Sequence, residues 1–158
     1  MEGERVYITL GGKSPYALIN SYFASLEFHG FRAEKVHVIY DDIFANFLPQ
    51  TLECMEFING EYDHSATIYT DNIIKNSVKA CLRTFIDIIE EHKGAEIALD
   101  ITSGRKYMVS TLMLRAWDTC DHIYFLQTDE LRGRESPFML RPVYSQYPMD
   151  LKKEVHSL

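Results

Sequence analysis

"EIALDITSGRKYMVSTLML" runs from Glu96 to Leu114, and its reading decides the fold. It opens as an apolar run and turns through Thr102-Ser103-Gly104. It then resumes with Met108 and Leu112, and Ala116 just beyond its end continues the helical spacing. A buried strand, a glycine turn and an amphipathic helix make one βα unit. Arg105 and Lys106 stand where that helix begins. Helix starts favour negative partners, so two cations there oppose the dipole unless an anion sits nearby.

The same alternation extends in both directions. "RVYITL" (5–10), "KVHVIY" (35–40), "ATIYT" (66–70), "AEIALDI" (95–101) and "HIYFLQT" (122–128) are rich in β-branched and aromatic residues and read as strands. Ser14 and Pro15 suit a helix start. A helix from about Tyr16 places Ile19, Tyr22, Phe23 and Leu26 on one face, and Gly30 closes it. Pro49 interrupts the stretch from Ile43 to Asp63, with a short helix through Leu52, Met55 and Ile58 after it. The longest helix is expected from near Asp71, with Ile74, Val78, Cys81, Phe85 and Ile88 as its apolar stripe and Gly94 as its end. "ELRGRES" reads as a turn and "PFMLRPVYS" (137–145) as a last strand, with Pro142 indicating a sheet edge. Alternating strands and helices imply an α/β, Rossmann-like domain over residues 1–158. It has a mainly parallel sheet, helices on both faces and an antiparallel C-terminal edge strand.

Composition narrows the function. The 158 residues fit one domain, and a hydrophobic fraction of 46% supports a proper core. A net charge of −7 offers no broad basic surface for a long nucleic acid. A small anion in a local basic pocket remains compatible, because pockets respond to local charge. Cys54, Cys81 and Cys120 are far apart and lack a C-x-x-C pair, as expected of small apolar residues in a reducing cytosol. No leader and no membrane-length apolar run is visible. A cytoplasmic protein is expected, membrane-associated if a tether lies outside this chain.

Ligands of open α/β sheets bind beyond the carboxyl ends of the strands. Three loops fall there: "GGKS" (Gly11, Gly12, Lys13, Ser14), Asp41-Asp42, and "TSGRK" (Thr102, Ser103, Gly104, Arg105, Lys106). The first and third combine glycine, hydroxyls and lysine, the parts of a phosphate cradle. The simpler alternative is that Ser14 and Ser103 are N-caps, Gly104 eases a turn and the lysines are surface cations. Two such loops at one edge favour an anionic ligand. Familiar nucleotide motifs are absent. A Walker A loop would need glycine at Tyr7, and a dinucleotide fingerprint would need it at Lys13. An acidic pair after the second strand does not match a phospho-receiver, and Asp41-Asp42 reads as a solvated turn or a helix start. The six histidines are scattered, without H-x-x-x-H, and read as structural or exposed. There is no G-x-S-x-G elbow. No metal site and no cofactor is expected.

The block "LDITSGRKYMVSTLML", after an apolar strand and opening a helix, resembles the signature of CARF domains, the CRISPR-associated Rossmann-fold sensors. Their loop at this place runs Asp-hydrophobic-Thr-Gly/Ser-Gly-Thr-Lys. "YITLGGKSPYALINSYFASLEFHG" resembles their first strand, ligand loop and first helix, and the order of elements agrees from about Arg5 to Ser145. Arg105 stands where the family often has threonine, while Lys106 keeps its place.

The resemblance implies a two-fold homodimer that binds a cyclic oligoadenylate, usually the four-membered ring, in type III CRISPR antiviral signalling. A dimer would present every loop twice. Two copies of Lys13, Arg105 and Lys106 would face the ring phosphates, with the amides of Ser103 and Gly104 and the hydroxyls of Thr102 and Ser14 as donors. Asp100 would order its own loop, since a carboxylate repels phosphate. Two functions follow. One is a sensor controlling a fused or tethered effector outside this chain. The other is a stand-alone, metal-independent ring nuclease, in which a ribose 2′-hydroxyl attacks its phosphate and leaves a 2′,3′-cyclic end. Lys106 would then stabilise charge, assisted by Ser14 or Lys13. An unrelated Rossmann-like domain binding another phosphate compound is the third option.

Overall fold

The computed structural model of the chain describes residues 3–74, 76–129 and 145–157. Six strands form one sheet: β1 (Arg5–Leu10), β2 (Lys35–Tyr40), β3 (Thr67–Asn72), β4 (Glu96–Asp100), β5 (His122–Thr128) and β6 (Gln146–Asp150). Their spatial order is β3-β2-β1-β4-β5-β6. All neighbours pair in parallel except β5 and β6, which are antiparallel. The sheet is the mainly parallel one expected, with its antiparallel C-terminal edge.

The helices are α1 (Pro15–Glu27), α2 (Asp42–Ala45), α3 (Leu48–Glu61), α4 (Val78–Glu91), α5 (Lys106–Thr119) and α6 (Leu151–His156). Both faces of the sheet are covered. Val6, Ile8 and Leu10 of β1, with Ile97 and Leu99 of β4, pack against Cys81, Phe85 and Ile88 of α4 and Met108 and Leu112 of α5. Tyr7, Val36 and Val38 pack on the opposite side against Leu18 and Tyr22 of α1 and Met55 of α3. Strand side chains alternate between faces, so each central strand serves both clusters and its sequence is apolar nearly throughout.

Several boundaries differ from expectation. Residues 71 and 72 belong to β3, which pairs with β2 as far as Tyr40 and Asn72, so the long helix begins at Val78 rather than near Asp71. Ser77 caps it by accepting from the amide of Ala80 at 3.1 Å. Ile74 is 76% exposed, outside the apolar stripe, which reduces to Cys81, Phe85 and Ile88. Pro49 lies in the first turn of α3, where its missing amide costs nothing, and so does not interrupt the helix. Asp41 starts α2 as its N-cap, accepting from Ile43 N at 3.0 Å, but it is buried rather than solvated. The strand expected over 137–145 falls, but for Ser145, outside the described residues. The edge strand lies just beyond it, and its Pro148 occupies the edge position of the sheet.

His37 and His92 are buried, as is Asp100. Cys54, Cys81 and Cys120 are free thiols. No helix among the described residues is long and apolar enough to cross a membrane.

Candidate functional site

The strand order places the site. From β1 the chain proceeds outward through β2 and β3, then returns to the other side of β1 with β4. A crevice opens at the carboxyl ends of β1 and β4, the topological switch point of an open α/β sheet. The loop after β1 is Gly11–Ser14 and the loop after β4 is Ile101–Arg105, so the two cradle-like loops are direct neighbours there.

They touch through glycine. A methyl group built on Gly12 would lie 2.7 Å from Ser103 Oγ and 2.8 Å from Gly104 N. Gly104 adopts φ +99°, and a methyl there would lie 2.7 Å from Leu10 Cβ. The two loops therefore close on each other only because neither position carries a Cβ.

The hydroxyls of Ser14 and Ser103 are buried and have no hydrogen-bond partner among the described residues. Both were expected to be available as N-caps. Ser14 stands at the cap position of α1 without making the cap bond, and the cap position of α5 is Arg105, not Ser103. A buried hydroxyl without a partner costs about 1–3 kcal/mol. The simple capping account therefore explains neither residue. The N-termini of α1 and α5 open at these loops without a side-chain cap, with the positive ends of their dipoles there. Lys13 and Lys106 are exposed beside them.

Asp100 organises the loop from beneath. It is fully buried at the end of β4 and faces α1. Its Oδ1 accepts from the amide of Thr102 at 2.9 Å and from the Thr102 hydroxyl at 2.7 Å. Its Oδ2 accepts from Tyr7 at 2.9 Å, from Thr9 at 3.2 Å and from Ser21. Burial pushes the Asp100 carboxyl above its usual range, against the pull of the Ser21 and Thr102 donors. The expectation that Asp100 orders its own loop matches these bonds. Thr102 is used in the same way: its hydroxyl donates to Asp100 and accepts from Leu126 N at 2.8 Å.

Two hollows lie at this edge. One, of about 940 Å³, is an open groove lined by Lys13, Ile43, Asn76, Gly104, Lys106 and Tyr107, with Val78 and Arg105 completing it. The other, of about 240 Å³, lies between the first turns of α1 and β5, against Ala17, Asn20, Thr102 and Phe125–Thr128. Arg105 does not stand free in the groove. Its Nη1 donates to Asp41 Oδ2 at 3.0 Å and to Asn76 Oδ1 at 2.6 Å, and its guanidinium lies 5.3 Å from the Tyr107 ring centre. Burial, with Asp41 nearby, pushes the Tyr107 phenol up.

Sequence reasoning reached Lys13, Ser14, Ser103, Gly104 and Lys106, which the fold brings together. Asp41, Asn76 and Tyr107 were not assigned. The signal for Asp41 was its position at the end of the second strand; Asn76 carried none, because its turn lay inside the helix expected from Asp71. No group of three or more His, Cys, Asp or Glu residues that could hold a metal occurs among the described residues.

No family model matches the chain. A curated relative, the CRISPR system endoribonuclease Csm6 of Thermus thermophilus, is 32% identical over 101 residues, or 64% of this chain. The chain spans 18% of that relative's length. Two solved structures share the fold. Can2 from Sulfobacillus thermosulfidooxidans, in complex with cyclic tetra-adenylate, matches with a TM-score of 0.59 at 13% identity, over 77% of this chain and 32% of that one. Csm6 from Enterococcus italicus, bound to cyclic hexa-2′-fluoro-hexa-dAMP, matches with a TM-score of 0.58 at 14% identity, over 99% of this chain and 44% of that one. The sequence match and the shared fold support the resemblance to CARF domains.

Proposed function

We propose that this chain, a CARF domain, binds a cyclic oligoadenylate in the crevice between β1 and β4 as a sensor of type III CRISPR antiviral signalling. An effector outside the chain would take up the signal. The single observation that carries the reading is the pair of buried hydroxyls, Ser14 and Ser103, without a partner among the described residues, where two helix N-termini and two lysines converge. A phosphodiester supplies the missing acceptors and the negative charge that the helix starts and cations favour. The neighbours' ligands, one a four-membered and one a six-membered ring, support the ligand class.

In this reading Lys13 and Lys106 neutralise phosphate, the Ser103 and Gly104 amides and the Ser14 and Ser103 hydroxyls donate to its oxygens, Gly11 makes room for the Phe44 ring beneath the loop and Gly12 lets the two loops close on each other. Thr102 acts from behind, through Asp100. A homodimer would repeat the set on the other side of a ring that shares its two-fold axis. The domain is acidic overall, with a net charge of −7, and needs only this local concentration of cations.

The test is equilibrium binding of labelled cyclic tetra-adenylate and cyclic hexa-adenylate to the full chain, with chelator present and the products resolved. Retention of an intact ring, abolished by Lys106→Ala, is expected. Linear products with 2′,3′-cyclic phosphate ends would replace the sensor with the ring nuclease. No binding of either ring sinks the reading.

A further inference from the structure

Arg105 departs from the loop pattern of the resembled family, and its surroundings in this fold are unlike those of the two lysines beside it. Asp41, its partner, has a side chain only 1% exposed. Both carboxylate oxygens of Asp41 are committed, Oδ1 to the amide of Ile43 and Oδ2 to Arg105. Swinging Arg105 out to a phosphate would leave a buried carboxylate without its counter-charge, the arrangement proteins tolerate least. Arg105 Nη1 also holds Asn76, whose φ of +60° puts a residue other than glycine in the left-handed region. Asp41 belongs to the loop after β2, Asn76 to the loop after β3, and Arg105 to the loop after β4.

We propose that Arg105 is a positioning residue: it staples these three loops into one wall of the groove, with its charge cancelled by Asp41. This rests on the functional reading above only for what the wall contacts. Two consequences follow. The cations that the ligand meets are Lys13 and Lys106. Asp41 strengthens ligand binding, although it is an anion beside an anion site, because it fixes the wall.

The staple is tested first without ligand, by hydrogen–deuterium exchange on the full chain. Arg105→Gln and Asp41→Asn should each speed exchange of the amides at 42–45 and 76–80 while leaving those of β1 protected. Unchanged protection at both loops overturns the proposal. Two variants guard against a misfolded one.

The second arm is the salt dependence of cyclic tetra-adenylate binding. Arg105→Gln and Asp41→Asn should weaken binding about tenfold or more by misplacing the wall, with the slope against salt unchanged. Lys106→Gln should lower that slope by about one per site, the signature of a lost phosphate contact. Arg105→Lys should fail to rescue, because an ammonium lacks the planar guanidinium that lies over the Tyr107 ring. Tighter binding in Asp41→Asn, or a slope loss in Arg105→Gln equal to that of Lys106→Gln, would make Arg105 a direct ligand and overturn the proposal. Absence of binding by the unaltered chain overturns the functional reading alone, and the exchange result then decides the staple.

Discussion

Asp100 and Thr102 are joined twice: one carboxylate oxygen of Asp100 accepts both the amide and the hydroxyl of Thr102. The same carboxylate holds β1 through Tyr7 and Thr9 and α1 through Ser21. One buried side chain therefore sets the spacing of the three elements around the crevice. Asp100→Ala strands five hydrogen bonds from four residues and should cost about 3 kcal/mol or more in chemical denaturation. Asp100→Asn keeps one acceptor oxygen for the Thr102 amide and hydroxyl, and two of the other three hydroxyls can turn to accept from its two N–H, so its cost should be clearly smaller. Equal losses in the two variants would refute this account.

Ser103→Ala should separate stability from binding. Its hydroxyl has no partner among the described residues, so removing it should stabilise the chain by about 1 kcal/mol, within the usual cost of a stranded buried group. Affinity for the cyclic oligoadenylate should fall at the same time. A destabilised variant in thermal melting would mean that the hydroxyl already has a structural bond.

Gly12→Ala should damage the site by geometry alone. The new methyl would meet Ser103 Oγ at 2.7 Å and the Gly104 amide at 2.8 Å. The backbone atom cannot move aside cheaply, and overpacking of this kind costs about 1–3 kcal/mol. Loss of affinity together with a lowered Tm is expected. Undiminished binding would show that the two loops need not touch.

Acid should unfold the chain through the carboxylates at the opposite edge of the sheet. Glu96 is held below the usual carboxylate range chiefly by the hydrogen bond from His122, then by Arg5 against the effect of burial. Glu4 is held low chiefly by Lys35. For Asp150, burial pushes upward, but His122 and the amides of Ile123 and Lys152 prevail and the net shift is downward. A depressed folded value means stability that is present above the unfolded value, about 4, and lost as pH falls through the folded one. Asp100 has the opposite sign: its raised value gives stability at low pH that disappears as pH rises through the folded value. Tm measured against pH should therefore fall on the acid side, and Glu96→Gln should flatten that limb. An unchanged acid limb in Glu96→Gln would exclude this pair as a cause.

His37 and His92 meet through their Nε2 atoms at 3.1 Å, with Nδ1 of His37 on Asp71 and Nδ1 of His92 on Glu4. The chain of contacts ties β3, β2, the end of α4 and the start of β1. A double-mutant cycle on His37→Phe and His92→Phe should give a coupling of about 0.5–3 kcal/mol, as for residues in one hydrogen-bond network. Additive losses would show that the ring contact carries nothing.

Much of this was legible because local rules and the global fold agree. The strands at 5–10, 35–40 and 122–128 have the bounds the sequence indicates, since short runs rich in β-branched and aromatic residues leave little choice. The helix after β3 was read seven residues early. An exposed edge strand such as "TIYTDN" carries polar residues that its own pattern cannot distinguish from a helix start, and only pairing with β2 carries it on to Asn72. The hydroxyls of Ser14 and Ser103 are legible as parts of a cradle or as caps; only in three dimensions does Ser14 stand at the cap position without its bond and Ser103 stand away from it.

The amino-acid order by itself determined an alternating α/β chain, two glycine-hydroxyl-lysine loops at one sheet edge and the resemblance of the second loop. Those depend on interactions a few residues apart. Which strands adjoin depended on the tertiary structure, and so did the contact of Gly12 with Ser103 and the diversion of Arg105 to Asp41. These pairings join residues 64 or more apart in the chain. Only closure of the whole sheet brings them within hydrogen-bond reach, and there burial makes the unpaired charge or hydroxyl costly enough to decide the arrangement.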